Sequence, residues 1–308
     1  MSVDMSTSLA WAELPHPVLT ASGCAAAGRE LDQFIDVGAI GAVVTKSIML
    51  NARSGRATPR MAETPAGMLN SIGLQGPGID AFLEHDLAWL VERGARAVVS
   101  IAGGTVAEFA ELAQRLRGVA GITAIEVNIS CPNVADRGLV FACNPMSAAS
   151  VVQAVRRNSA SDVPVFAKLS PDVTDITEIA GSVRSAGADG VSVINTLLGM
   201  VIDTKTMRPA LAGVTGGLSG PAVRPVAVRA VWQIRAAFPD LPILGMGGII
   251  TGNDALEFIL AGANAVSVGT AVFHDPAAVA RVGEELQTLL QQRGFASLRD
   301  AVSYAHRA

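Results

Sequence analysis

Charge is scarce in this chain, and cysteine scarcer still. Acidic and basic residues together make up 16% of the 308 positions, against about a quarter in an average soluble protein, which excludes a disordered or heavily solvated chain. The 23 basic and 27 acidic residues leave a net charge of −4, so there is no global electrostatic footprint for nucleic acid. Three cysteines, Cys24, Cys131 and Cys143, are too few and too irregularly spaced for a disulfide framework. Nor can they supply the four thiolates of an ordinary iron–sulfur cluster. The four histidines, at 16, 85, 274 and 306, show no metal-ligand spacing. No metal site is expected, and neither is a Cys–His hydrolase. The opening MSVDMSTSLAWAELPHP lacks the basic and apolar regions of a signal peptide. No run of about eighteen apolar residues is free of charge or turn residues, so no transmembrane helix is expected. The expectation is a cytoplasmic protein in a reducing compartment.

What the chain does hold is an alternation. Eight short apolar runs recur at even spacing: PVLTAS (17–22), IGAVVTK (40–46), AVVSIAG (97–103), TAIEVNIS (123–130), VPVFAKLS (163–170), GVSVIN (190–195), PILGMGG (242–248) and AVSVGTA (265–271). Helical patterns lie between them around 78–93, 105–117, 145–158, 174–186, 222–237 and 253–261. A last one spans 276–292, with Asp275 as its N-cap and Pro276 at the first helical position. Continuous apolar strands separated by helices mean parallel strands buried on both faces. Eight of them at this length favour an α/β fold of the (β/α)8 TIM-barrel type over an open doubly wound sheet, as a single domain, 1–308. Two intervals, 47–77 and 196–220, are longer than a crossover needs. Both follow strand C-termini, the face where barrels build their sites.

Chemistry-bearing residues gather at those strand ends. Of only three lysines, Lys46, Lys168 and Lys205, the first two each close an apolar run, in VVTK and VFAK. A compact ammonium there suits an anionic group, either a substrate carboxylate or the electron-rich edge of a reduced cofactor. Asn70, Asn128, Asn133 and Asn195 recur at matching places, and together they describe a polar, uncharged lining that could recognise a ring bearing carbonyls and N–H groups. Glycine makes up 31 positions, and Ser219-Gly220, Gly247-Gly248 and Gly269-Thr270 fall late in the chain. The loops after the seventh and eighth strands are where barrels most often bind phosphate through backbone N–H groups. GxGxxG is absent, because Ile250 holds the sixth position counted from Gly245, and no dinucleotide fingerprint is visible. Cys131, in ISCPN, is a candidate nucleophile or general base, whereas Cys24 and Cys143 read as buried filler. Pro132 and Gly138 suggest a mobile lid over 132–142.

Four segments carry a resemblance: PRMAETPAGMLNSIGLQGPG (59–78), AIEVNISCPN (124–133), NTLLGMVIDTKTMRPALAGVTGGLSGPA (195–222) and GMGGIITGNDALEFILAGA (245–263). Over nearly its whole length the chain resembles the class 1B dihydroorotate dehydrogenases, FMN-dependent (β/α)8 barrels of pyrimidine biosynthesis. The resemblance implies that Cys131 deprotonates dihydroorotate at C5 while hydride leaves C6 for flavin N5. It places Lys46, Asn70, Ile72, Gly73, Leu74, Asn128, Asn133, Asn195 and Thr196 around the pyrimidine. One FMN per chain would be held by Ser22, Lys46, Ser47, Ser100, Asn128, Lys168, Ile194, Gly220, Gly247, Gly248, Gly269 and Thr270. It also implies a separate subunit carrying FAD and a 2Fe–2S cluster that passes electrons to NAD, in a heterotetramer of two copies of each chain around a homodimeric core.

Three places depart from the family's pattern. Cys24-Ala25-Ala26 replaces Thr-Phe-Gly, Ser47 replaces a glycine though class 1A members carry serine there, and Ser100 stands where a flavin-contacting asparagine is usual. Serine reaches less far than asparagine, so a direct flavin contact from position 100 would be lost or routed through water. The competing readings are a class 1A-like homodimer using fumarate, an FMN barrel acting on a related dihydropyrimidine, and a barrel that binds a phosphorylated ligand without redox chemistry.

Overall fold

Each apolar run forms a strand: β1 (Val18–Thr20), β2 (Val43–Val44), β3 (Ala97–Ile101), β4 (Ile122–Asn128), β5 (Val165–Leu169), β6 (Gly190–Val193), β7 (Ile243–Met246) and β8 (Ala265–Val268). The computed structural model describes residues 3–130 and 141–307. The strands pair in parallel in the order β1-β8-β7-β6-β5-β4-β3-β2, the ring of a (β/α)8 barrel. At the seam between β1 and β2, Gly41 N–H donates to Val18 O (2.9 Å) and Thr20 N–H donates to Ala42 O (3.2 Å). A Cβ on Gly41 would lie 2.3 Å from the His16 carbonyl oxygen, so a side chain there would force the seam apart.

Side chains alternate along each strand between two apolar shells. Val99, Ile125, Val127, Ala167 and Val266 face the surrounding helices. Val98, Ala124, Phe166, Leu244 and Ala265 point into the barrel, where they meet Leu9 and Leu14 from the N-terminal hairpin Thr7–Leu9/Ala12–Leu14. That hairpin plugs the end of the barrel where the strands begin. Full burial of each leucine contributes about 1.5–3 kcal/mol. Toward the other end the interior turns polar, and Ser100, Glu126, Lys168, Ser192 and Ser267 are all buried.

The helices follow ordinary amphipathic logic. Val106–Leu116 buries Phe109, Leu112, Ala113 and Leu116, spaced to share one face, and is capped by the Thr105 side chain accepting from Glu108 N–H. Gly252–Ala261 opens on a reciprocal Thr251/Asp254 capping box and stops at Gly262 with φ 119°. The last long helix corrects the sequence expectation: it runs Ala278–Gln292 and does not include Pro276. Asp275 Oδ1 accepts the Ala277 N–H (3.0 Å) and its Oδ2 holds Arg281 Nε (2.9 Å), so the aspartate closes a turn ahead of the helix instead of capping it. Among the described residues no helix is long and apolar enough to cross a membrane.

The two long intervals join each other. Hairpin strands Met61–Thr64 and Gly67–Asn70, from the first interval, align with Gly216–Ser219 and Leu197–Gly199, from the second, as one antiparallel four-stranded sheet. It roofs the C-terminal end of the barrel.

At the opposite end, His16 is half-buried against the last long helix, where a Cβ on Gly283 would meet its Cε1 at 2.2 Å. Its Nδ1 accepts the Val18 N–H (3.3 Å), which requires that nitrogen to be unprotonated. Burial holds the imidazole below its ordinary value, so the folded state binds fewer protons than the unfolded one. Stability is then intact above about pH 6.5 and falls as the pH drops from there toward the lowered folded-state value. Thermal melts between about pH 7.5 and 5.5 should show a falling Tm, and His16→Asn should flatten part of that slope. An unchanged slope in the variant would clear His16 of this role.

Candidate active site

Alternation along the strands delivers the polar residues to the roofed end. On β4 the inward series is Ala124, Glu126, Asn128, and on β5 it is Phe166 followed by Lys168, so each strand begins with an apolar plug and finishes with a functional group. These ends are stitched together. Ser22 Oγ lies 3.3 Å from Ser47 Oγ, and Ser47 Oγ lies 2.9 Å from Ser100 Oγ. Ser100 Oγ donates to Glu126 Oε1 (3.1 Å), and Lys168 Nζ reaches the same oxygen at 3.5 Å. Asn128 Nδ2 donates to Ser47 Oγ (2.9 Å) while its Oδ1 accepts both the N–H (3.3 Å) and the hydroxyl (3.0 Å) of Ser130. Asn195 Nδ2 in turn donates to Ser130 O (3.1 Å) and Ser130 Oγ (2.8 Å).

Two adjoining cavities open above this network. The larger, of about 440 Å³, is walled by Gly220, Gly247, Gly248, Gly269 and Thr270, with Ser22, Lys168 and Ile194 at its inner side. Gly248 has φ +76°, and a Cβ on it would lie 2.7 Å from Gly220 O, so the loops meet backbone to backbone and leave a wall of peptide groups. The smaller cavity, of about 150 Å³, is lined by Lys46, Ser47, Asn70, Ile72, Gly73, Leu74 and Asn128. Ser22, Lys168, Asn195 and Thr196 line both.

The sequence-derived candidates line these two cavities, with three exceptions. Ser100 lines neither cavity: it is buried beneath them, between Ser47 and Glu126. Cys131 and Asn133, and most of the proposed 132–142 lid, lie outside the described residues. Cys143 is exposed and so is not buried filler. Cys24 does more than fill space, for its residue lines both cavities. Burial pushes its thiol up to about 11 against the opposing pull of Lys168 and Lys46, which keeps it protonated at neutral pH. Sequence reasoning missed Glu126, although a lone glutamate inside the apolar run AIEVN was the available signal. Among the described residues no cluster of His, Cys, Asp and Glu could hold a metal ion.

A family model described as dihydroorotate dehydrogenase matches residues 4–290. The chain is 51% identical over 307 residues to a protein of Desulforudis audaxviator (strain MP104C) named dihydroorotate dehydrogenase B (NAD(+)), catalytic subunit, spanning 100% of this chain and 99% of that one. Proteins of the same name from Geobacter sp. (strain M21) and Geobacter metallireducens are 48% and 50% identical, each over 97% of both chains.

Proposed function

Because the chain belongs to the dihydroorotate dehydrogenase family, we propose that it oxidises (S)-dihydroorotate to orotate in pyrimidine biosynthesis, as the catalytic subunit of an NAD-linked enzyme. FMN is assigned to the larger cavity and the pyrimidine to the smaller. One observation carries this reading: a glycine-walled chamber abuts an amide-lined one, with Lys168 lining both. The name these relatives share supports the NAD linkage and the division into subunits. The partner assigned on the resemblance carries FAD and a 2Fe–2S cluster, with two copies of each chain in the complex.

The residues present fit the cofactor. The larger cavity falls inside the range of about 300–1,000 Å³ typical of small-molecule sites. Ser267 Oγ, buried on its wall, has no hydrogen-bond partner among the described residues, as a donor or acceptor reserved for a ligand would. Loops after β7 and β8 offer backbone N–H groups to a phosphate. When bound, FMN supplies the hydride acceptor.

The protein's own share is binding, orientation and proton transfer. Lys46 lines the pyrimidine chamber, and its ammonium is assigned to the substrate carboxylate. Asn70, anchored through Nδ2 to Gly217 O (3.3 Å), joins Asn128 and Asn195 around the ring. An amide nitrogen carries two hydrogens and its oxygen two lone pairs, so each keeps capacity for the ligand after its internal bonds are made. Cys131 takes the C5 proton. Ser130, the residue before it, is pinned by Asn128 and Asn195, which fixes the base of the segment that carries the thiol. The four-stranded roof limits water around the reacting atoms.

The purified chain should be yellow, and anaerobic addition of dihydroorotate should bleach its flavin spectrum. A chain that takes up no FMN would return the barrel to a non-redox ligand binder. A yellow chain that dihydroorotate leaves unbleached would point to a different dihydropyrimidine.

A further inference from the structure

Glu126 is a buried carboxylate to which the chemistry above gives no task. Its side chain is 0% exposed and that of Lys168 5%. Oε1 receives both the Ser100 hydroxyl (3.1 Å) and the Lys168 ammonium (3.5 Å), while Oε2 has no hydrogen-bond partner among the described residues. A half-satisfied buried ion pair is a poor stabiliser, and an apolar pair of similar volume would serve the fold as well or better. The separation is also long for a contact ion pair: Arg93 and Asp32 approach to 2.8 Å at the surface of the same molecule. Lys168 is thus drawn toward Glu126 without being locked onto it, and its residue remains part of the wall of both cavities.

Resting on the reading of the larger cavity as a flavin site, we infer that Glu126 is a positioning residue that acts through Lys168 to hold down the reduction potential of the bound flavin. Reduction adds negative charge to the flavin, and an ammonium beside it favours the reduced form. A carboxylate behind that ammonium cancels part of its field and holds it back from the ligand. The low-dielectric barrel interior makes both effects larger than they would be in water. Ser100 completes the device. Its hydroxyl fixes the orientation of the carboxylate and links it through Ser47 to the wall of the smaller cavity. This gives the serine at position 100 a role that needs no flavin contact.

Glu126→Gln keeps the shape and an acceptor for Ser100 while removing the charge. Midpoint potentials of the FMN-loaded wild type and variant, from anaerobic equilibration with reference dyes, are the readout, alongside fluorescence titration of the apoproteins with oxidised FMN. The expected result is at least a tenfold rise in the preference for reduced over oxidised flavin, which for a two-electron couple is about 30 mV upward. In a Lys168→Met background the same substitution should have much less effect. An unshifted potential in a flavin-loaded Glu126→Gln protein overturns the inference, and so does a full shift that survives Lys168→Met. If Glu126→Gln fails to fold, Glu126→Asp keeps the charge but withdraws it by one methylene, and a smaller upward shift is expected. No shift in that variant overturns the inference equally. Failure of the wild type to take up FMN would instead overturn the flavin-site reading, and this inference with it.

Discussion

Cys131→Ser should bind FMN as the parent chain does and yet lose about 10²–10⁴-fold in the rate of flavin reduction by dihydroorotate near neutral pH. The substitution changes one atom, so packing and binding should survive. What it removes is basicity, since a serine hydroxyl is a far weaker proton acceptor than a cysteine sulfur at the same pH. The residual rate should rise with pH beyond the point where the parent levels off. Cys24 cannot stand in, because burial pushes its thiol up to about 11 and so keeps it protonated near neutral pH. Anaerobic stopped-flow measurement of flavin bleaching gives the answer directly, and an undiminished rate in Cys131→Ser would remove that residue from the mechanism.

The second large effect concerns the fate of the electrons. The isolated chain should turn over dihydroorotate with an artificial dye but reduce NAD negligibly, and adding a partner subunit of the proposed FAD and iron–sulfur kind should restore NAD reduction. No GxGxxG fingerprint is present, and three cysteines cannot ligate a cluster. The 51%-identical Desulforudis protein is itself named as the catalytic subunit of an NAD(+) enzyme. Steady-state assays with and without the partner distinguish the outcomes. Rapid NAD-coupled turnover by the chain alone, or efficient reduction of fumarate by it, would overturn the assignment.

The barrel was legible because its strands are buried on both faces and so read as unbroken apolar runs, with glycine or polar residues at each end. The helix Pro145–Asn158 falls on the boundaries its sequence pattern suggests. What stayed hidden has local causes. The roof strands are three or four residues long and partly exposed, too short for a period-2 pattern to stand out, and the two halves of the sheet lie far apart in sequence. The N-terminal hairpin shows only Leu9 and Leu14 as buried apolar positions, both at 1% exposure or less, and two leucines flanking a turn signal little. Asp275 followed by proline looks like a helix start. Only the three-dimensional partner Arg281, which claims the other carboxylate oxygen, distinguishes a turn from a cap. The lysines and asparagines at strand ends could be picked out one at a time. Glu126 was visible only as a lone glutamate in an apolar run, and what it meets, a lysine 42 positions later, is a pairing no linear spacing encodes.

The shared roof also binds two distant stretches of sequence to one another. Gly217 stands opposite Asn70, Leu218 opposite Leu69 and Ser219 opposite Met68, so a residue lining the smaller cavity takes its place from a strand 147 positions away. An insertion or deletion of one residue in either stretch would slide this register and turn Asn70 away from that cavity. The two loops therefore cannot drift in length independently. A chimaera that imports one of them from a relative inherits a constraint on the other, and specificity in this barrel is a property of the pair.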